Sequence, residues 1–335
     1  MGVKLTELLP IHHLKLEDLK GKKIAVDAPL MIYQFLSSIR QRDGTHLSDS
    51  HGNVTSHLVG IFSRVTNLIE KGLKLCFVFD GKAPKLKQLE REKRFERKEL
   101  AKGLYEKAKQ EEDIELMYKY SKQTTRFTPG MMEESKRLIS ALGLPVVQAP
   151  SEAEAQAAFM CRNKDVWAVG TQDADAIVFG ATRILRNLTL SKKRLVASGE
   201  YVEISPELIE LDESLKELKI NQDKMISMAI LIGTDFNPGG VKGIGPKKAL
   251  EIVQKEKTDK EIFKKYPVQK WKEIKDLFKN IPTTKDYKLE WGKVDSERIK
   301  KILVDEHDFS LERVERTLKK LSKENVKEKE LNNWF

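Results

Sequence analysis

Two cysteines in 335 residues, Cys76 and Cys161, are too few for a disulfide framework or a thiolate metal site. Both sit in apolar runs, as expected of a chain in an intracellular, reducing compartment. Long hydrophobic stretches are missing as well. No run approaches the ~18 apolar residues of a membrane-spanning helix, and residues 1–20 lack the apolar core of a secretory signal. No membrane partner is therefore expected. The opening Met1-Gly2-Val3-Lys4-Leu5-Thr6 fits the loose myristoylation pattern, which is short and often matches by chance.

Positive charge is plentiful. Lys and Arg number 61 against 51 Asp and Glu, a formal net charge of +10. Such an excess favours nucleic acid or another anionic surface as partner, although a merely lysine-rich surface gives the same count. Forty per cent apolar residues fits a globular chain, and the length allows one large domain or two smaller ones.

Short apolar runs ending in an acid recur along the chain. Residues 22–28 read as a buried strand ending at Asp27, followed by helical apolar spacing over 29–39. Residues 41–53 form a loop, and 56–71 a second helix. Residues 73–81 give another strand, ending in Asp80-Gly81. A helix over 131–142 leads to a strand at 144–147 and then to Ala149-Pro150-Ser151-Glu152-Ala153-Glu154-Ala155. A helix over 152–162 and a strand over 165–171 precede Gln172-Asp173-Ala174-Asp175. Alternating strands and helices predict a mainly parallel sheet covered on both faces. Ligands sit beyond the carboxyl ends of such strands, so these acids should meet at one rim. A hairpin is expected within 184–202, and an apolar helical segment over 225–232 runs into Gly233-Thr234-Asp235.

Two segments fit a polyanion. Residues 82–122 are helix formers dense in Lys, Arg and Glu, with an apolar stripe (Leu86, Leu89, Phe95, Leu100, Leu104) too thin for full packing. That helix should project or bridge, unless it is simply a solvated, salt-bridged one. Gly243 and Gly245 precede a helix with Pro246 in its first turn, which lets backbone amides face a phosphate; Lys247 and Lys248 add charge. A plain tight turn between helices is the alternative.

Seven acids are candidates for one centre: Asp27, Asp80, Glu152, Glu154, Asp173, Asp175 and Asp235. Two carboxylates roughly 5 Å apart repel by about 3 kcal/mol at an effective dielectric of about 20. Divalent cations would relieve that repulsion. Oxygen donors with no His or Cys cluster beside them suit Mg²⁺, or Mn²⁺ in its place, rather than Zn²⁺. Two such ions serve in-line attack of water on a phosphodiester. Blander roles exist for single members. Ser151 with Glu154 fits a capping box, Asp80-Gly81 a turn, and Asp235 a helix cap.

The motifs around these acids, with Phe79-Asp80-Gly81-Lys82-Ala83-Pro84 and Gly243-Ile244-Gly245-Pro246, stand in the order of the flap endonuclease family. That family is a branch of the XPG-type structure-specific 5′ nucleases, and the resemblance spans the chain. It implies a PIN-like α/β nuclease fold with a helical arch and a helix–two-turn–helix motif. The implied division is 1–98 for the N-terminal nuclease region, 82–122 for the arch and 116–258 for the internal region. The helix–two-turn–helix covers about 225–258, a C-terminal helical region 259–326, and a sliding-clamp tail 327–335. Asp27, Asp80, Glu152 and Glu154 would serve one metal site, and Asp173, Asp175 and Asp235 the other. Lys87 and Arg94 match the family's two catalytic basic residues, which would hold the scissile phosphate and stabilise its developing negative charge.

Tyr33 matches the residue on which a terminal base stacks, and Thr55 falls where a one-nucleotide 3′ flap binds. Gly243, Gly245, Lys247 and Lys248 match the downstream-duplex contact, commonly with K⁺. Leu331, Trp334 and Phe335 resemble a sliding-clamp (PCNA) box, with Glu328 in place of its leading Gln. The implied activity is 5′-flap endonuclease and 5′–3′ exonuclease, in Okazaki fragment maturation and long-patch base excision repair. The expected protein is a monomer, cytoplasmic at the chromosome of an archaeal-type cell, or nuclear in a eukaryote. A junction-binding module without activity would lack one of the acids. The resolvase and excision-repair relatives remain as enzyme alternatives, and the short 82–122 segment argues against the excision-repair branch.

Overall fold

The computed structural model describes residue 3 and residues 5–188, 193–195 and 201–332. Gly2 of the lipidation pattern, Trp334, Phe335 and the side chains of Glu328 and Leu331 lie outside the described residues. Strand β1 (His12–His13) precedes β2 (Lys23–Asp27), which runs directly into α1 (Ala28–Ser38). The expected second helix is one helical run over 56–70. It comprises α2 (Ser56–Gly60), a π-helical turn (Ile61–Val65) and α3 (Thr66–Glu70). Strand β3 (Lys74–Phe79) follows, then the charged segment: a 3₁₀ turn (Lys85–Lys87), α4 (Gln88–Gln110) and α5 (Ile114–Ser121). Helix α6 (Pro129–Ala141), β4 (Val146–Gln148), α7 (Ala153–Arg162), β5 (Ala168–Gly170) and the short α8 (Asp175–Val178) complete the acidic half.

Strands β6 (Arg183–Arg186), β7 (Lys193–Leu195), β8 (Tyr201–Glu203) and β9 (Glu207–Glu210) come next. The remaining helices are α9 (Leu211–Glu217), α10 (Gln222–Ile232), α11 (Pro246–Lys255), α12 (Asp259–Lys265), α13 (Trp271–Asn280), α14 (Ser296–Lys300) and α15 (Leu311–Asn332). Among the described residues no helix is long and apolar enough to cross a membrane.

Seven strands form one sheet in the order β1-β9-β6-β5-β2-β3-β4. The five from β6 to β4 are parallel, and β9 and β1 add an antiparallel edge. Strand side chains alternate between faces. Ile24, Val26, Leu75, Phe77 and Phe79 therefore join one core with α1, the 56–70 run, α6, α14 and α15. Ala25, Cys76, Val78 and Val169 join the other, with α7, α8 and α10 to α13. Burial on both faces explains why these strands read as continuous apolar runs.

The expected hairpin occupies the second half of its region and ends one residue beyond it. Arg183–Arg186 lies parallel to β5 inside the main sheet, and the hairpin is β7 with β8, a separate two-stranded sheet. The cause is burial: Ile184 and Leu185 each fill one of the two cores, which a solvent-facing hairpin strand does not do.

Candidate active site

Parallel pairing points the carboxyl ends of β2, β3, β4 and β5 the same way, and the acids follow these ends. Asp27 closes β2 and caps α1, its Oδ1 accepting the Leu30 N–H at 3.0 Å. Asp80 follows β3, and its Oδ1 accepts the Ala153 N–H at 2.7 Å, so Asp80 caps α7 from another strand. The local capping box is not formed, because the Ser151 hydroxyl donates to the Lys82 carbonyl at 3.2 Å. Glu152 and Glu154 are thus released from capping. Gly81 and Lys82 donate backbone N–H groups to Ser151 and Pro150 at 2.6 and 3.1 Å, which zips the Asp80 loop onto the Glu152 loop. A side chain at Gly81 would meet the Ala149 carbonyl at 2.1 Å, so only glycine permits that approach. Asp175 opens α8 and is fixed from the chain start, its Oδ1 accepting the Val3 N–H at 2.7 Å.

The carboxylates act on one another electrostatically. Asp27 is pushed up to about 8, by burial and then by Asp80 and Asp173. Asp175 is pushed up to about 7 by burial, with Asp173 and Asp235 adding to the rise. Glu154 is held well above the carboxylate range by burial and by Asp175, Asp27 and Asp173. Glu152 is raised by burial, with Asp80 and Asp235 adding to the rise and Lys87 opposing it. All seven predicted acids enter these interactions. A carboxyl raised by burial and by neighbouring carboxylates is one whose charged form a bound cation would favour.

Two bases reach in from the arch. The Lys87 ammonium pairs with Glu152 and lies 3.3 Å from Asp235 Oδ2. Burial works against its charge, but Glu152 and Asp235 prevail and raise it. Arg94 donates from Nη2 to Asp235 Oδ2 at 2.7 Å and from Nε to Glu90 Oε1 at 2.8 Å. Glu90, 5% exposed on a largely solvated helix, also faces Arg97 at 3.7 Å. In the sequence Glu90 looks like one more acid of a salt-bridged helix. Its only sequence signal is the four-residue spacing to Arg94. Among the described residues no three His, Cys, Asp or Glu side chains have the spacing of a formed metal cage. Lys87 and Arg94 pair with Glu152 and Asp235 instead. The donor set still suits hard divalent ions: carboxylate oxygens only, crowded, and short of positive charge.

Tyr33, half-buried on α1, carries the Lys98 ammonium 5.6 Å from its ring centre, and Arg94 acts on it electrostatically. Tyr33 therefore faces α4 on the side of Lys98 and Arg94. Thr55 is buried at the start of α2, its N–H donating to the Leu47 carbonyl at 2.7 Å, and no contact joins it to the acidic centre among the described interactions. Gly243 takes φ +79° in the turn before α11, a conformation that favours glycine. Gly245 caps α11 in ordinary extended backbone. Lys247 and Lys248 are exposed in the first turn of α11.

The chain matches the model of the XPG N-terminal domain over residues 1–101 and that of the XPG I-region over 143–235. These spans contain all seven acids, Lys87 and Arg94. Flap endonuclease 1 of Pyrococcus abyssi is 51% identical, with 100% of this chain and 98% of that protein aligned. Flap endonuclease 1 of Thermococcus onnurineus is 48% identical over 100% and 99%. Among solved structures, flap endonuclease-1 from Methanococcus jannaschii superposes with a TM-score of 0.77 at 45% identity, covering 96% of this chain and 98% of that one. The catalytic core of Rad2 with DNA substrate shares the fold, with a TM-score of 0.70 at 24% identity over 95% and 97%.

Proposed function

The chain belongs to the flap endonuclease family, and from that premise we propose that its acidic rim hydrolyses the phosphodiester at the base of a 5′ flap. It is a structure-specific 5′ nuclease, a metal-dependent hydrolase acting on DNA. The support at residue level is that Asp27, Glu152, Glu154 and Asp175 are each raised above their ordinary values, next to Lys87 in the 3₁₀ turn and Arg94 on α4. Asp27, Asp80, Glu152 and Glu154 would hold one Mg²⁺, and Asp173, Asp175 and Asp235 the other, with Mn²⁺ able to replace either. When bound, such ions neutralise the carboxylates and make a bound water acidic enough to attack phosphorus at neutral pH.

The protein's own groups do the rest. Lys87 and Arg94 exchange their carboxylate partners for the non-bridging oxygens of the scissile phosphate and stabilise the negative charge that develops there. Tyr33 stacks on the terminal base of the frayed duplex. The arch, residues 82–122, covers the 5′ strand between the nuclease regions 1–98 and 116–258. The turn holding Gly243 and Gly245, with Lys247 and Lys248, grips downstream duplex backbone, with K⁺ at that turn. Thr55 receives a one-nucleotide 3′ flap. Residues 259–326 form the C-terminal helical region, and the 327–335 tail binds the sliding clamp through Leu331, Trp334 and Phe335. The protein works as a monomer at the chromosome, in the cytoplasm of an archaeal-type cell, with 5′–3′ exonuclease activity, in Okazaki fragment maturation and long-patch base excision repair.

Turnover on single-flap, double-flap, nicked, bubble and four-way junction DNA with Mg²⁺ tests this reading. Flap substrates should be cut fastest, at the flap base, leaving a 5′ phosphate. A preference for bubbles or four-way junctions, or an uncut flap, overturns it.

A further inference from the structure

Three buried phenyl rings meet from segments that carry two of the acids. Phe179 follows α8, the helix that Asp175 opens, and Phe236 is the residue after Asp235. Phe278 comes from α13, in the C-terminal helical region. Ring centres lie 4.8 Å apart for Phe179 and Phe278, 5.2 Å for Phe236 and Phe278, and 6.5 Å for Phe179 and Phe236, the last two pairs edge to face. All three separations suit attraction between aromatic rings, and no ring is more than 6% exposed. Other contacts of the two acids are local. Asp175 accepts the Val3 N–H, and Asp235 sits in a turn where the Thr234 hydroxyl accepts the Phe236 N–H at 3.1 Å and donates to Asn237 at 2.7 Å. A further tie between the segments, Gln222 donating to the Val178 carbonyl at 2.7 Å, lies at the opposite end of α10 from Asp235. Close-packed side chains do not slide freely, so a ring wedged between two segments fixes their separation.

We propose that Phe278 is a positioning residue for the second metal site: through Phe179 and Phe236 it sets the separation of Asp175 and Asp235, which would share one ion. Mg²⁺ demands near-ideal ligand geometry, so a small displacement of either acid weakens its hold. The inference rests on the two-metal reading and deepens it, by giving the C-terminal helices a part in shaping the site. Phe263 on α12 offers an internal comparison. It is equally buried, at 5% exposed, and stacks on Trp271 at 4.6 Å between ring centres. Among the described ring contacts it reaches neither acid-bearing segment.

The test uses the full chain with Phe278→Ala, Phe278→Leu and Phe263→Ala. Mn²⁺ titrations of the DNA-free proteins, followed by the EPR signal of the unbound ion, should show one class of site weakened about tenfold in Phe278→Ala and the other unchanged. The Mg²⁺ concentration for half-maximal flap cleavage should rise about tenfold, with kcat recovered at saturating Mg²⁺ and metal-free affinity for flap DNA unchanged. Phe278→Leu refills most of the space and should stay within about threefold of wild type in both readouts. Phe263→Ala should lower Tm as Phe278→Ala does, yet leave both metal readouts at wild type. Phe278→Val, a smaller truncation, is read in the same way should the alanine variant fail to fold. Unchanged Mn²⁺ affinity in the truncated Phe278 variant, equal weakening of both classes of site, or an equal shift in Phe263→Ala overturns the assignment. A wild-type chain that binds no Mn²⁺ overturns the two-metal reading and the assignment with it, whereas wild-type binding that Phe278→Ala matches overturns the assignment alone.

Discussion

Arg94 and Asp235 lie 141 residues apart in the chain and meet at 2.7 Å. That bond joins the charged helix α4 to the acid that follows α10, so the helix is anchored at the acidic centre. The neighbouring tie is Lys93, whose ammonium lies 3.4 Å from the Pro238 carbonyl. A helix with a thin apolar stripe could not be fixed there by packing alone, and charge does the fixing.

Glu90 is expected to matter because it orients Arg94. It accepts from Nε and leaves Nη2 aimed at Asp235, where the scissile phosphate would lie. Removing an acceptor from a partly buried arginine costs about 1–3 kcal/mol, so Glu90→Ala should lower kcat on a flap about tenfold or more. Glu90→Gln keeps an acceptor without the charge and should recover part of the loss. With Arg94 in its proposed role at the phosphate under attack, KM should hardly move. Single-turnover rates read this directly, and an effect confined to KM would show that Glu90 serves DNA binding instead.

The raised acids give the metal-free protein a defined pH dependence. Asp27 and Asp175 have folded values of about 8 and about 7, above their ordinary 3.8. Between those limits the folded state binds more protons than the unfolded one. Their contribution to stability is therefore fully present below about pH 4 and is lost as pH rises through about 7 to 8. Cation binding removes the need for those protons, so its benefit grows over the same window. Melting scans should show a small rise in Tm from Mg²⁺ at about pH 5 and a larger one at about pH 8. An equal rise at both would mean that the ion binds elsewhere.

Asp175→Asn separates fold from chemistry. The asparagine carbonyl can still accept the Val3 N–H, so the local anchor survives while a crowded negative charge is removed. Without metal at about pH 8 the variant should melt about 1–3 °C higher than wild type. Its cleavage should be abolished, and its affinity for flap DNA should be equal or tighter, since one charge repelling phosphate is gone. A fall in metal-free Tm would show that the native carboxylate is needed for the fold itself.

Much of this was legible in the sequence, for physical reasons. A strand buried on both faces must be apolar throughout, and an acid at its end breaks that run visibly, as Asp27 and Asp80 do. The exposed residues of the arch, Leu89, Phe95, Leu100 and Leu104, were readable as a stripe with nothing to cover it. Pairings between distant segments left no such trace. The capping of α7 by Asp80 rather than Ser151, and the Val3 amide on Asp175, depend on three-dimensional approach. Strand β6 was not legible as a central strand, because four residues with two apolar positions fit a hairpin and a central strand equally well.

Gly81 is where fold and site meet most closely, and its substitution should damage both. Its N–H donates to Ser151 at 2.6 Å, and a methyl group there would lie 2.1 Å from the Ala149 carbonyl and 2.6 Å from that of Pro150. These are backbone atoms, so the two loops must separate. Overpacking of this kind costs about 1–3 kcal/mol, and Gly81→Ala should lower Tm accordingly. The larger consequence is positional, because the loops carry Asp80 on one side and Glu152 on the other. Moving them apart should weaken the Tm rise produced by Mg²⁺ and lower kcat by more than the stability loss explains. If Gly81→Ala melts lower but keeps its full Mg²⁺-dependent rise and kcat, Asp80 and Glu152 do not act together on one ion.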